Sequence, residues 1–296
     1  MRVYDPFVAG PFPVEERTIQ AEDPARDRTC TFEVWSPAAQ SGPLPLIVFS
    51  HHSGGHRRAA TFLCTHLSSH GYIVAAMDHT HAPEAGEQPD ARTKRLLTNR
   101  LLDMRFILDH LDPIQVGLVG HSLGGWTVLT TPDSDPRIRA VVALAPGGNS
   151  NPRPGILRAK LPFQWGRDVP TLLLVAEGDV CLPLDGMYEI FERTPATKQM
   201  VVLRRADHMH FMDNVEEIHE AARKMDATGE LAWIPKEMRP IAELCSGEQS
   251  HLFVRGLTLC HMDAVLKQNK DAQRFLQSDI AAELAKRGVD AFVHPS

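Results

Sequence analysis

From about residue 30 to residue 210 one pattern repeats along the chain. A short run of apolar, mostly β-branched residues is followed by a longer stretch whose apolar positions lie three and four apart. The runs cover residues 31–35, 46–50, 72–77, 116–119, 140–144, 172–175 and 200–203. A run such as Leu46-Ile47-Val48-Phe49 has no polar face, which predicts a strand buried on both sides. Between the runs, the spacing predicts helices over 57–69, 93–111, 123–131 and 184–193. In the second of these, Leu97, Leu101, Met104, Leu108 and Leu111 form the stripe expected to face the core. Strands that alternate with helices in this way predict an α/β fold, with a largely parallel central sheet flanked by helices on both faces.

Two stretches break the alternation. Residues 146–168 carry Pro146, Pro152, Pro154 and Pro162 together with Phe163 and Trp165, and are expected to form a short lid-like insertion. Residues 214–296 read as a helical C-terminal extension of two or more helices, with a last short strand over 290–293. The pattern leaves open whether this tail packs on the main body or covers the mouth of a site. With no repeat and no low-complexity linker, residues 1–296 are expected to form a single domain.

Composition narrows the function classes. A formal charge of -6 argues against nucleic acid as a partner, because phosphate neutralisation needs a basic surface. No apolar run approaches a membrane span, and the first residues lack a basic segment followed by an apolar one, so a cytoplasmic setting is expected. Cys30, Cys64, Cys181, Cys245 and Cys260 are odd in number and show no CxxC spacing, which predicts reduced, mostly buried thiols. His51, His52, His56, His79 and His81 all follow strand ends, yet no HExxH spacing accompanies them. The expectation is therefore no metal, with these rings lining a cleft or bonding loops. Oligomeric state is not legible.

The chemistry concentrates at Gly120-His121-Ser122-Leu123-Gly124, which leaves an apolar run and enters a helical segment. A serine on such a strand-to-helix turn exposes its hydroxyl at the end of a sheet, while the helix start aims backbone N–H groups at developing negative charge. Serine needs a base, and the base needs an orienting group. In elbows of this kind the acid follows a later strand, and the histidine the strand after that. The run 172–176 leads into Glu177-Gly178-Asp179, and Asp179, farther into the loop, is favoured as the acid with Glu177 as competitor. The run 200–203 leads to His208 and His210; His208, on the near side of the loop, is the expected base. The oxyanion donors expected are the N–H of Leu123 and that of Ser53, with His52 as the alternative to Ser53. His52, Trp126, Phe163, Trp165 and Met209 are the candidates for a substrate pocket.

Residues 45–55, 62–78, 103–111 and 117–126 together resemble the α/β-hydrolase superfamily. The closer similarity is to its bacterial platelet-activating-factor-acetylhydrolase-like and dienelactone-hydrolase-like branch. Tyr4-Asp5-Pro6-Phe7 and Val34-Trp35-Ser36-Pro37 resemble that branch's N-terminal strands, and the resemblance spans roughly residues 1–212. It implies an α/β-hydrolase fold, hydrolysis of a small-molecule carboxylic ester through a Ser-His-Asp triad, and no cofactor. Two positions depart from the pattern. His51-His52 stands where His-Gly is usual, and Ser122 stands where dienelactone hydrolases proper carry cysteine, so their substrate does not carry over. Acyl transfer or amide cleavage by the same triad is the rival within the class, and a non-catalytic binding protein on the same fold is the rival outside it.

Overall fold

The computed structural model describes residues 4–40, 42–79 and 84–295; His81 falls outside them. One nine-stranded sheet organises the described residues: β1 (Val14–Asp23), β2 (Arg28–Pro37), β3 (Leu46–Ser50), β4 (Ile73–Met77), β5 (Val116–His121), β6 (Ile138–Leu144), β7 (Thr171–Ala176), β8 (Lys198–Leu203) and β9 (Ala291–Val293). The spatial order is β1-β2-β4-β3-β5-β6-β7-β8-β9. Strands β3 to β8 run parallel to one another, β1 and β2 form an antiparallel hairpin on one edge with β2 antiparallel to β4, and β9 closes the other edge antiparallel to β8. The α/β expectation holds, and every apolar run read from the sequence is a strand.

Alternation of side chains about each strand divides the core in two. Ile47 and Phe49 of β3 enter a cluster on one face, covered by α1 (Thr61–Ser69). Leu46 and Val48 enter the other cluster, beneath α2 (Pro89–Leu111), α3 (Leu123–Thr130) and α4 (Leu184–Arg193). Two covered faces explain why these strands lack polar alternation.

The tail contributes α5 (Val215–Arg223), α6 (Ile234–Glu237), α7 (Gly247–Leu266), α8 (Lys270–Leu276) and α9 (Ile280–Ala285). Ser246 starts α7 with a capping box: its hydroxyl accepts from the Gln249 amide while the Gln249 side chain accepts from the Ser246 amide. Phe253, Val254, Leu257 and Met262 of α7 are fully buried, and the helix packs beside α1 against β6. The tail thus supplies much of one core face.

One expectation is corrected. The buried positions of α2 are Leu96, Arg100, Asp103, Met104, Ile107 and Leu108, whereas Leu97, Leu101 and Leu111 are only partly buried. The helix is rotated from the apolar stripe because two charged residues take inward positions. The Trp165 indole donates to Leu129 O at 3.2 Å, Arg193 lies over the Phe163 ring, and both rings are partly buried against the core. Leu129 is about 10 Å along the axis of α3 from Ser122. Residues 146–168 thus run along α3, from the Gly147 amide on Ser122 O to the Trp165 indole on Leu129 O.

Candidate active site

Ser122 stands between β5 and α3 with φ 58° and ψ -116°, a conformation that costs a non-glycine residue energy and persists where surroundings enforce it. Its amide donates to Leu144 O at 2.9 Å, and its carbonyl accepts from the Gly147 amide at 2.9 Å. The flanking glycines are required by close approach: a Cβ on Gly120 would collide with Gly124 O, and one on Gly124 with Ser50 O. The start of α3 is thereby pressed against the end of β3. Ser122 is partly exposed, and its Oγ forms no hydrogen bond among the described residues. Such a link is commonly loose in a resting site and tightens when substrate binds.

The loop after β7 carries Asp179, 4% exposed, and the loop after β8 carries His208, 8% exposed. His208 Nδ1 meets Asp179 Oδ2 at 2.6 Å. Because a carboxylate only accepts, the neutral ring carries its proton on Nδ1 and its lone pair on Nε2. Asp179 Oδ1 accepts from the amides of Cys181 and Leu182, both at 2.8 Å, which fixes the carboxylate. Burial pushes the His208 imidazole down, but the charge and hydrogen bond of Asp179 and the charge of Asp207 outweigh it, so its pKa is raised. His121, the residue before Ser122, packs its ring 4.7 Å from that of His208. Burial, helped by His208 and His52, holds His121 well below the usual imidazole range, and it stays neutral. The structure thus brings Asp179 to His208, and both to the elbow.

The competitors are elsewhere. Glu177 is exposed and pairs with Arg204 at 2.9 Å. His210 is fully buried; its Nδ1 accepts from the Asp207 amide at 3.0 Å, and its Nε2 donates to Cys245 O at 3.1 Å. Asp207 in turn meets His219 Nδ1 at 3.2 Å, while His219 Nε2 donates to Arg239 O at 2.8 Å. Asp207, His210 and His219 are the one trio of ligand-type side chains gathered among the described residues. These bonds tie the tail to the loop that carries His208. Asp207 is first pushed up by burial, but the adjacent His210 and His219 and the bond from the Met209 amide hold it well below the usual carboxylate range.

A second Ser-His-Asp series runs under the β3 loop. Ser50 Oγ meets His79 Nε2 at 2.9 Å, and His79 Nδ1 meets Asp103 at 2.8 Å. Asp103 also binds Arg26 at 2.5 Å and Arg28 at 3.3 Å. Ser50 and Asp103 are fully buried. His51 is buried as well, accepting from the His79 amide at 3.1 Å and donating to His52 O at 2.7 Å. These histidines therefore knit loops together, in line with the expectation for them, whereas His56 is exposed.

Of the expected oxyanion and pocket residues, Leu123 is the first residue of α3 and Ser53 lies exposed on the loop after β3. His52 is partly buried with its ring 5.5 Å from that of His121, and Met209 is partly buried beside His208. Trp126 belongs to the core cluster beneath α2, α3 and α4, and its indole donates to Lys160 O at 2.8 Å. Sequence reasoning missed Arg100, which is 1% exposed and donates to the carbonyls of His51 and His52 at 2.7 and 3.0 Å. The one available signal was its spacing, three and four residues ahead of buried Asp103 and Met104.

Comparison with known proteins follows this geometry. A family model described as PET hydrolase-like matches residues 7–250, extending the resemblance past residue 212. Cutinase est1 of Thermobifida alba is 25% identical over 211 residues, 67% of this chain and 63% of that protein. Platelet-activating factor acetylhydrolase of Cavia porcellus is 29% identical over 160 residues, 38% of this chain and 37% of its own length. The matches thus span less than two thirds of either relative. Ferulic acid esterase from Streptomyces cinnamoneus has the same fold, with a TM-score of 0.65 at 21% identity, covering 88% of this chain and 92% of that one.

Proposed function

The chain belongs to the PET hydrolase-like family, and from that footing we propose that it is a serine esterase cleaving carboxylic esters through an acyl-enzyme intermediate. The observation that carries the reading is the short His208–Asp179 contact of 2.6 Å beside a serine held at positive φ on a strand-to-helix turn. In the first step Ser122 Oγ forms a bond to the ester carbonyl carbon as its proton passes to His208 Nε2. The amides of Leu123 and Ser53 hold the resulting oxyanion. Collapse expels the alcohol, which takes the proton from His208. Water then repeats the sequence, releasing the acid and restoring Ser122. Asp179 orients the ring and stabilises the imidazolium between the two transfers.

The Ser50 series is assigned no catalysis. Ser50 Oγ lies inside the protein and also accepts from Arg100 at 3.3 Å, so no carbonyl reaches it. The substrate proposed is a small-molecule carboxylic ester, in keeping with the partly exposed Ser122. A cytoplasmic setting belongs to the same proposal, supported by five unpaired, buried thiols. A panel of p-nitrophenyl and alkyl esters, with acyl and alcohol portions varied independently, tests the reading. Saturable turnover with a burst of alcohol is expected; folded protein that turns over no ester in the panel overturns it.

A further inference from the structure

The loop between β3 and α1 must present backbone N–H groups to an oxyanion, yet its carbonyls could face the same way. The structure assigns that choice to Arg100: we propose that its guanidinium is the positioning residue of the oxyanion hole, holding the His51–His52 and His52–Ser53 peptides with their N–H groups toward the reacting carbonyl. This rests on the serine-esterase reading above.

The argument begins with peptide geometry. In a trans peptide the C=O and N–H point in opposite directions. Arg100 Nη1 donates to His51 O at 2.7 Å and Nη2 donates to His52 O at 3.0 Å, so one rigid fork grips two successive peptides. Arg100 is 1% exposed, while Ser53 is exposed. The carbonyls therefore face the buried side of the loop, and the amides of His52 and Ser53 face its open side. Both expected donors, the favoured one and its alternative, are set by the same fork. His52 O also accepts from the Gly55 amide at 3.2 Å, closing a turn whose third residue, Gly54, has φ 72°. A glycine there leaves the backbone easy to reorient. A flip of the 52–53 peptide would point a carbonyl at the oxyanion, and losing a charge-assisted bond to Arg100 opposes it.

A second line concerns the charge. Among the described residues, the hydrogen bonds of this guanidinium go to Ser50 Oγ, His51 O and His52 O, and no carboxylate touches it. Burial pushes its pKa down to about 9 against the opposing charge of Asp103, so it remains a cation at neutral pH. A buried cation is costly when no anion pairs with it. One devoted to loop carbonyls polarises those peptides, making their N–H groups better donors toward an oxyanion. Its field favours the same negative charge. The elbow shares the contact: Gly124 lies against Ser50 O and His51 O, so loop and α3 form one packed unit.

The test compares wild type, Arg100→Lys and Arg100→Met, with Arg105→Met on the exposed side of α2 as control, all on p-nitrophenyl butyrate. A single ammonium cannot hold both carbonyls, so Arg100→Lys is expected to lower kcat by about 10- to 100-fold, and Arg100→Met by about 100- to 1,000-fold, the range for loss of an oxyanion donor. KM should stay within about threefold. Affinity for a trifluoromethyl ketone, which adds to the serine as an oxyanion, should fall in step with kcat/KM, and the control should match wild type. A purely structural role would instead lower the melting temperature and leave kcat of the folded protein unchanged. Folded Arg100→Lys with wild-type kcat and ketone affinity overturns the proposal, and that variant decides alone if Arg100→Met does not fold. An inert wild type would bring down the esterase reading and this proposal together; active wild type with unchanged Arg100 variants brings down only this one.

Discussion

Replacing Asp179 by asparagine should abolish the proposed esterase activity by reversing the tautomer of His208. Asp179 Oδ1 accepts two buried amides, from Cys181 and Leu182, both at 2.8 Å, and Oδ2 accepts from His208 Nδ1 at 2.6 Å. Asparagine has one oxygen. Placing its NH2 against the two amides would leave two buried donors unbonded, at about 1–3 kcal/mol each. The oxygen therefore stays with the amides and the NH2 turns to His208. Nδ1 must then accept, the proton moves to Nε2, and the ring can no longer take the proton of Ser122. Such a reversal lowers kcat by about 10⁴, or about 5 kcal/mol of barrier at 1.36 kcal/mol per decade. Steady-state hydrolysis of p-nitrophenyl butyrate with thermal melts of both proteins measures this. Asp179→Asn should melt within a few degrees of wild type, and Glu177→Gln, at an exposed pair with Arg204, should keep about half its rate or more. A folded Asp179→Asn within tenfold of wild type would refute the reasoning.

The pH profile offers a second check. His208 must be neutral to act as base, and its pKa is raised, so kcat/KM should fall on the acid side with a midpoint above about 6.5. A midpoint at or below that value contradicts the Asp179 contact as the dominant influence. The same pair stabilises the fold fully below the unfolded histidine pKa, and this stabilisation is lost as pH rises through the higher folded value; melts of Ser122→Ala against pH, with and without Asp179→Asn, read the difference. Trp165→Ala should cost about 2–3 kcal/mol in chemical denaturation, because a partly buried indole and its bond to Leu129 O are lost. Its kcat/KM should remain within about threefold of wild type; a change confined to KM would place Trp165 in the substrate pocket.

Strands β3 to β8 were legible because burial on both faces forces continuous apolar runs, and Leu46–Ser50 was read to the residue. Strand β1 was not, since VEERTIQAED sits on an edge where Val14, Ile19 and Ala21 pack only partly against the core. Its charges mark exposure, and no periodicity in them distinguishes a strand from a loop. The phase of α2 was misread for a related reason: Arg100 and Asp103 face inward, and a rule that counts apolar positions places charges outward. Asp179 over Glu177, and His208 over His210, followed from where each loop leaves its strand, and the structure brings the favoured pair together. The placement of α7 depended on pairings between residues some two hundred positions apart, such as Tyr72 with Asp263 at 2.8 Å, which local pattern does not carry. Phe163 and Trp165 mattered as aromatics in a proline-rich stretch, but hydrophobicity alone does not say whether a ring meets substrate or a helix end.

The most direct measurement is covalent labelling with a fluorophosphonate, followed by mass mapping of the modified peptide. The account predicts one label per chain, on Ser122, abolished by Ser122→Ala and retained by Ser50→Ala. A label on Ser50, or none on folded wild-type protein, would contradict it.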